Sequence, residues 1–194
     1  MPKESTPNNP DPRKDPYKFI EKIEVKEGIP IREVRYIHID NSSVWREALE
    51  KILGSKLGME HKLGEASSID SAVSLIKNIA AKREKLDLII IEEGILTEDE
   101  IPGKFYGASP TIEFVKQFEL LAAAESMKKF LERTKIVVFG PKAYPSSIAA
   151  FDELQKKFPR VIAFVAKMPD LEEIASHFLK ALEDAKVVEK KKKA

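Results

Sequence analysis

Leu86-Asp87-Leu88-Ile89-Ile90-Ile91-Glu92-Glu93-Gly94 carries the clearest structural signal in the sequence. Its apolar residues form a short continuous run rich in β-branched side chains, which is typical of a strand buried on both faces of a parallel sheet. Two carboxylates and a glycine end the run, so Glu92 and Glu93 stand at the carboxyl end of the predicted strand. Because open α/β sheets bind ligands at that edge, this segment also predicts where a functional site lies.

The composition limits the class of protein. A chain of 194 residues with 43% hydrophobic content can bury one core of ordinary size. Its 33 basic and 32 acidic side chains nearly cancel, so no overall field favours nucleic acid or a membrane surface. The sequence contains no cysteine, which excludes disulfides and thiolate metal sites. No apolar run is long enough to span a bilayer, and we expect a soluble cytoplasmic protein.

Strand and helix patterns alternate along the rest of the chain. The period of the apolar residues predicts strands over 34–39, 59–65, 86–92, 135–139 and 161–165. It predicts helices over 42–57, 69–82, 111–133, 146–157 and 171–184. Five consecutive βα units predict a doubly wound α/β fold, with a five-stranded parallel sheet in a flavodoxin-like three-layer sandwich.

The two ends and one internal segment fall outside this alternation. We expect an N-terminal extension over 1–33, disordered where proline and polar residues dominate, with a short helix carrying Phe19. The domain itself is predicted over 34–185, followed by a basic tail over 186–194. Segment 95–110 is rich in glycine and proline and reads as a long loop, and loops of that length are often functional.

Four motifs follow the predicted strands in a fixed order. A strand end with the pair Asp40-Asn41 and a helix start occupy 39–49 (IDNSSVWREAL), a strand end and helix start occupy 64–72 (GEASSIDSA), and a strand ending in an acid occupies 86–92 (LDLIIIE). The last is 167–173 (KMPDLEE), a lysine followed by a helix start. Together these motifs, from about residue 34 to 184, resemble the receiver domains of response regulators in two-component signalling.

The resemblance assigns a role to each strand end. In ordinary receivers a third-strand aspartate accepts a phosphoryl group, an acidic pair after the first strand helps hold Mg²⁺, and a hydroxyl and a lysine grip the phosphate. A fifth-strand aromatic often moves on activation. The matching positions here are Glu92 with the neighbouring Glu93, the pair Asp40 and Asn41, Gly140, Lys167 and Phe164.

Several of the parts that perform the chemistry differ from the family pattern. Glu92 carries its carboxylate one methylene further out, which moves the attacking oxygen from the in-line position. Asn41 removes a charge from the metal pair, so Mg²⁺ binding through Asp40 and Glu92 is expected to be weak if it occurs, and no other cofactor is expected. Gly140 offers no hydroxyl. We therefore hypothesise a pseudo-receiver that is not phosphorylated, in which an ion pair between Glu92 and Lys167 fixes one conformational state.

Other interpretations of the same residues remain open. One is a Mg²⁺-dependent response regulator or phosphotransfer protein that still uses Asp40, Glu92 and Lys167. Another is that Glu92 is only a solvated acid at a strand end. Under the favoured hypothesis the protein is not an enzyme. It is a module that binds a protein partner, and self-association is a further possibility. Its possible partner surface includes Trp45, Tyr144 and Phe19, whereas His38 is expected to be a buried strand residue and not a catalytic base.

Overall fold

The computed structural model describes residues 28–93, 110–141 and 145–189, apart from the side chains of 110 and 145–150. Several predicted features lie outside these residues: the helix with Phe19, the loop over 95–110 except its last residue, Tyr144, and the lysines at 190–193. Within the described part, no helix has both the length and the apolar character needed to cross a membrane.

Five parallel strands form one sheet with the spatial order β2-β1-β3-β4-β5. The strands are β1 (Arg35–Ile39), β2 (His61–Ala66), β3 (Leu88–Glu92), β4 (Lys135–Pro141) and β5 (Val161–Lys167). The predicted doubly wound, flavodoxin-like sheet is confirmed, with β3 at its centre.

Six α-helices flank the sheet in the described part of the chain. They are α1 (Ser43–Lys51), α2 (Ile69–Ala81), α3 (Pro110–Ala123), α4 (Glu125–Leu131), α5 (Pro145–Lys157) and α6 (Leu171–Asp184). A short 3₁₀ helix covers Ile31–Glu33, and a π-helical segment, Ile52–Leu57, continues α1.

Two helices differ from their predictions. The predicted helix 42–57 is α-helical only to Lys51 before its π-helical segment. The single helix predicted over 111–133 is wrong, because Ala124 adopts an extended backbone (φ −66°, ψ 127°) that separates α3 from α4. After this break Leu131 is fully buried, and the carbonyl of Phe130 accepts a hydrogen bond from Leu86 N at 3.2 Å. Tertiary packing therefore interrupts a helix that the local pattern would continue.

The alternation of β3 explains its continuous apolar sequence. Ile89 and Ile91 belong to the core on the side of α2, α3 and α4, whereas Leu88 and Ile90 belong to the core on the side of α1 and α6. Successive side chains of a strand point to opposite faces, so a central strand between two helical layers needs an apolar residue at every position. Glu92 is the first residue of β3 that leaves the apolar core.

Helix caps fix two helix starts at the carboxyl edge of the sheet. The Ser42 hydroxyl accepts a hydrogen bond from Trp45 N at 3.4 Å and opens α1 just after β1. The Asp170 carboxylate accepts hydrogen bonds from Glu172 N and Glu173 N and opens α6 just after β5. Such caps satisfy backbone amides that have no partner within the helix. Both helices lie on the same face, beside the ends of β1, β3 and β5.

A clasp joins the two ends of the described chain at the opposite edge. Ile29 N donates to Val187 O at 3.0 Å, and Glu189 N donates to Ile29 O at 3.1 Å. Gly28 has a φ of +95°, and a Cβ there would lie 2.4 Å from the carbonyl carbon of Val188, so only glycine fits. Ordered structure thus extends past the predicted boundaries at 34 and 185 on both sides.

Candidate functional site

The ends of three strands bring an ammonium group between two carboxylates. Asp40 follows β1, Glu92 ends β3 and Lys167 ends β5. Lys167 Nζ lies 2.7 Å from Glu92 Oε1, in a hydrogen bond, and 2.9 Å from Asp40 Oδ2, at ion-pair distance. The exposed fractions of these side chains are only 7% for Lys167, 15% for Glu92 and 0% for Asp40. The contact predicted between Glu92 and Lys167 is therefore present, and Asp40 shares the same cation.

Backbone amides satisfy the other carboxylate oxygens. Asp40 Oδ1 accepts a hydrogen bond from Ser42 N at 2.8 Å, and Glu92 Oε2 accepts one from Asn41 N at 3.3 Å. Asn41 is exposed, and the contact that it makes to Glu92 comes from its main chain. Every carboxylate oxygen of Asp40 and Glu92 thus contacts either an amide or the ammonium group, although the contact of Asp40 Oδ2 with Lys167 is an ion pair without a hydrogen bond. Charge-assisted bonds of this kind hold both carboxylates in place.

Two aromatic rings complete the surroundings of the ammonium group. Lys167 Nζ lies 5.3 Å from the ring centroid of Phe139 and 5.4 Å from that of Trp45. The two rings meet edge to face at 5.7 Å. We call Asp40, Trp45, Glu92, Phe139 and Lys167 the lysine cage. Trp45, named above as a possible partner surface, is half-buried in this cage. Rings and carboxylates both attract the cation, and burial reduces screening by solvent.

The two glutamates at the end of β3 have shifted acidities. Burial raises the pKa of Glu92, although the hydrogen bond from Lys167 opposes that effect. Burial alone raises the pKa of Glu93. Desolvation disfavours a charged carboxylate, and for Glu92 the neighbouring charge of Asp40 acts in the same direction. Burial therefore acts against the ionised form of both glutamates, and the ammonium group of Lys167 favours the ionised form of Glu92.

The residues at this site do not fit the Mg²⁺ ion that the receiver resemblance implies. The ammonium group of Lys167 lies between Asp40 and Glu92, where a divalent cation would need their oxygens. Within 28–93, 110–141 and 145–189, no group of three His, Cys, Asp or Glu residues has the arrangement of a metal site. Mg²⁺ requires a nearly octahedral set of oxygen ligands. A single cation already bound by both carboxylates leaves no such set.

Gly140 provides space for the side chain of Glu93. A Cβ at Gly140 would lie 2.7 Å from both Cβ and Oε2 of Glu93, and 3.2 Å from Cε2 of Phe164. Glu93 N also donates to Phe139 O at 3.1 Å, which holds its backbone beside β4. Phe164 is partly buried and packs edge to face on Phe151, with ring centroids 5.9 Å apart. The position of the missing hydroxyl is therefore filled from the neighbouring strand by a carboxylate.

Gly140→Ala is expected to lower the free energy of unfolding by about 1–3 kcal/mol, because Glu93 and Phe164 must move to admit a methyl group. Urea denaturation followed by circular dichroism measures this loss. Gly54→Ala is the matched control, since a Cβ at Gly54 has no heavy atom within 4 Å. Glu93→Ala should restore much of the loss in the double variant. Equal stabilities of the two single variants would show that Gly140 is not confined by its neighbours.

Two further groups contact Asp40. His38 is buried in β1 as predicted, and its Nε2 lies 3.8 Å from Asp40 Oδ2 without a hydrogen-bond partner among the described residues. Arg46 donates to the main-chain carbonyl of Asp40 and pairs with Glu65 at 3.2 Å. The sequence analysis missed Arg46 and Phe139. The position of Phe139, at the end of the strand just before Gly140, is the signal that could have placed it in the cage.

Comparison with solved structures finds receiver domains. The isolated REC domain of RcsB from Salmonella enterica serovar Typhimurium, in the presence of BeF₃⁻, is 18% identical with a TM-score of 0.50, over 78% of this chain and 88% of that chain. The response regulator domain of Thermotoga maritima CheB is 17% identical with a TM-score of 0.50, over 81% of this chain and 98% of that one. RcsB bound to promoter DNA has a TM-score of 0.52 at 15% identity, and this chain covers 62% of that protein.

No protein-family model matches the sequence, and no curated protein sequence matches it. At identities of 18% and below, the structural likenesses show the fold alone. The chain therefore has a receiver-like fold.

Proposed function

We propose that this protein is a pseudo-receiver: a signalling module that binds a protein partner without being phosphorylated. The observation that carries the proposal is the position of Lys167, whose buried ammonium group contacts Glu92 and Asp40 at once. In a phosphorylated receiver the lysine pairs with the phosphoryl group. Here Glu92 supplies a permanent negative charge to the same cation, so the domain keeps one conformational state.

The geometry of Glu92 supports the absence of phosphorylation. Its Oε1 is bound to Lys167 and its Oε2 to the amide of Asn41, so these two contacts hold the carboxylate in an orientation that in-line attack on a phosphodonor would have to change. The cation between the carboxylates also takes the position from which Mg²⁺ would neutralise a transferring phosphoryl group. Neither the Glu92 carboxylate nor the position that Mg²⁺ would occupy is arranged for phosphoryl transfer.

A module of this kind acts through its surface and has no enzymatic step. We expect a protein partner, and a homodimer is a further possibility that a mass measurement in solution would test. The partner surface proposed from the sequence, Trp45 with Tyr144 and Phe19, remains a prediction. So does the division into an extension over 1–33, a domain over 34–185 and a tail over 186–194, as well as the cytoplasmic location.

The test is an amide-resolved NMR titration of the full chain with Mg²⁺, followed by Mg²⁺ with beryllofluoride as a mimic of the phosphoryl group. We expect the signals of Asp40, Glu92, Gly140 and Lys167 to stay unchanged, because the cage has no place for either ligand. Glu92→Asp is the matched variant, since it shortens the carboxylate by one methylene and restores the acceptor residue of the family. Incubation with acetyl phosphate and intact-mass spectrometry would detect covalent transfer.

Two results would overturn the proposal. The first is a concerted shift of the four signals together with Phe164 in the unmodified chain, which would mean that the site responds to phosphorylation. The second is a stable mass increase of one phosphate that Glu92→Gln abolishes. Either would favour the alternative of a Mg²⁺-dependent response regulator that uses Asp40, Glu92 and Lys167.

A further inference from the structure

A large concave surface lies at the amino edge of the sheet, opposite the lysine cage. Its volume is about 890 Å³. Arg35, His61 and Lys135 line it at the starts of β1, β2 and β4, and the clasp residues Gly28 and Ile29 form one side. We call this surface the basic groove. Nothing in the proposed pseudo-receiver site uses it.

The basic groove concentrates positive charge. Six of its lining residues are lysine or arginine and three are acidic, which gives a formal charge of +3 where the whole chain carries +1. The cations are Arg35, Arg83, Lys85, Arg133, Lys135 and Lys186, and the acids are Glu33, Asp87 and Glu132. The rest of the chain therefore carries a formal charge of −2, and the excess of cations is local to this groove.

Five of the six groove cations are not neutralised by a carboxylate within the described part of the chain. Arg35, Arg83, Lys85, Arg133 and Lys135 form no ion pair with any acid in the described part of the chain. One nearby carboxylate, that of Asp87, accepts a hydrogen bond from the main-chain Arg35 N at 3.0 Å. Outside the groove some cations are paired, as Lys62 is with Glu50 and Glu65, and others, such as Lys51 and Lys77, form no ion pair with a described acid. What distinguishes the groove cations is that they line one concave surface.

Helix ends explain only part of this pattern. Arg83, Arg133 and Lys186 follow the C-terminal ends of α2, α4 and α6, where a positive charge stabilises the helix dipole. The backbone of Arg83 and Lys186 has positive φ values of 61° and 56°, a conformation that glycine adopts at lower cost. Arg35 and Lys135 start strands, so no helix dipole accounts for them. The cations converge from separate elements on one concave surface.

The surroundings favour carboxylates over phosphates as the anionic ligand. The helices run from the carboxyl edge to the amino edge, so their C-terminal carbonyls are directed to this edge, whereas phosphate sites use the amides of helix N-termini. Three acids interspersed among the cations repel the dense charge of a polyphosphate more than the separated carboxylates of an acidic peptide. Carboxylates spaced along a chain can each meet one lysine or arginine.

We propose that the basic groove binds an acidic segment of a partner protein. The inference rests on the proposed function only in treating the chain as an interaction module, and it does not depend on the state of the lysine cage. The basic groove would be a partner surface at the amino edge, and it was not predicted from the sequence. The attraction is between solvent-exposed charges, so it weakens as ionic strength rises.

The test uses a fluorescent oligoglutamate peptide and the full chain, with binding measured by fluorescence anisotropy at low and high salt. We expect the groove variant R83E/K85E/R133E to bind at least about tenfold more weakly than the unmodified chain. The matched control K51E/K77E/K128E changes the net charge equally, with exposed cations that lie outside the groove. The control should bind within about twofold of the unmodified chain, because only local charge is altered.

Competition with inorganic triphosphate and with single-stranded oligo-dT separates the possible anions. Tighter binding of either competitor than of oligoglutamate would overturn the assignment to an acidic peptide. Equal weakening by the groove variant and its control would overturn the groove itself and leave net charge as the cause. If the charge reversals unfold the domain, the neutral variant K85Q/R133Q replaces them, with K77Q/K128Q as its control. The beryllofluoride titration is independent of these results.

Discussion

Lys167→Met is expected to lower the free energy of unfolding by about 3–5 kcal/mol, because it leaves two buried carboxylates without their cation. The replaced ammonium group contacts Asp40 and Glu92 within 2.9 Å and lies over two rings, whereas methionine retains only the apolar part of these contacts. Chemical denaturation at neutral pH measures the effect. Glu92→Gln should recover part of the loss in the double variant, since it removes one of the unpaired charges.

Lys56→Met is the matched control for this substitution. Lys56 pairs with Glu172 on the surface, and their side chains are 43% and 68% exposed. Removing a surface ion pair of this kind is expected to cost no more than about 1 kcal/mol. If Lys167→Met and Lys56→Met had equal effects, the lysine cage would contribute no more than an ordinary surface contact. The proposal of one fixed conformational state would then lose its structural basis.

The stability of the protein is expected to fall by about 3 kcal/mol through His38 alone as the pH drops from neutral to 4. The pKa of His38 is lowered from 6.5 to about 4, chiefly by burial. The charge of Asp40 opposes this shift, and the positive charge of Lys167 contributes to it. Between these two values the unfolded chain binds a proton at this histidine and the folded chain does not. Stability therefore rises with pH across this window and is fully present above about pH 6.5.

Comparison with His38→Leu isolates this effect, because the carboxylates titrate in both proteins. The difference in unfolding free energy between the unmodified chain and the variant should shrink as the pH falls from 7 to 4. His177→Gln is the control, since His177 is exposed on α6. A difference that stays constant over this range would mean that His38 takes up a proton in the folded state as readily as in the unfolded state.

The sequence predicted the architecture well because its signals are local. The apolar run of β3 and the alternation of strand and helix patterns each depend on residues close together in the chain. The break at Ala124 does not, because it follows from the burial of Leu131 against elements distant in sequence. The change to a π-helix at Ile52 likewise has no marker in the apolar pattern.

The residues of the candidate site at the strand ends could be predicted from the sequence. The contacts between neighbouring strands were harder to predict. Asp40, Glu92 and Lys167 could be placed together because the carboxyl ends of parallel strands meet at one edge. The role of Phe139 depends on its register opposite Glu92 across β3 and β4, and the fit of Glu93 against Gly140 depends on packing between the same strands. Neither the register of strand pairs nor the volume available to a side chain can be obtained from one sequence.

The clasp between Ile29 and Val188 makes the described chain nearly a closed ring. Its two ends meet at the amino edge, and the pairing closes a loop that contains all five strands and six helices of the described part. A loop of that length loses little more entropy on closure than one of half its length, so a few backbone hydrogen bonds suffice to hold it. The fold therefore does not depend on which element comes first in the chain. A circularly permuted chain that is joined at the clasp and opened at a surface turn would retain the same sheet.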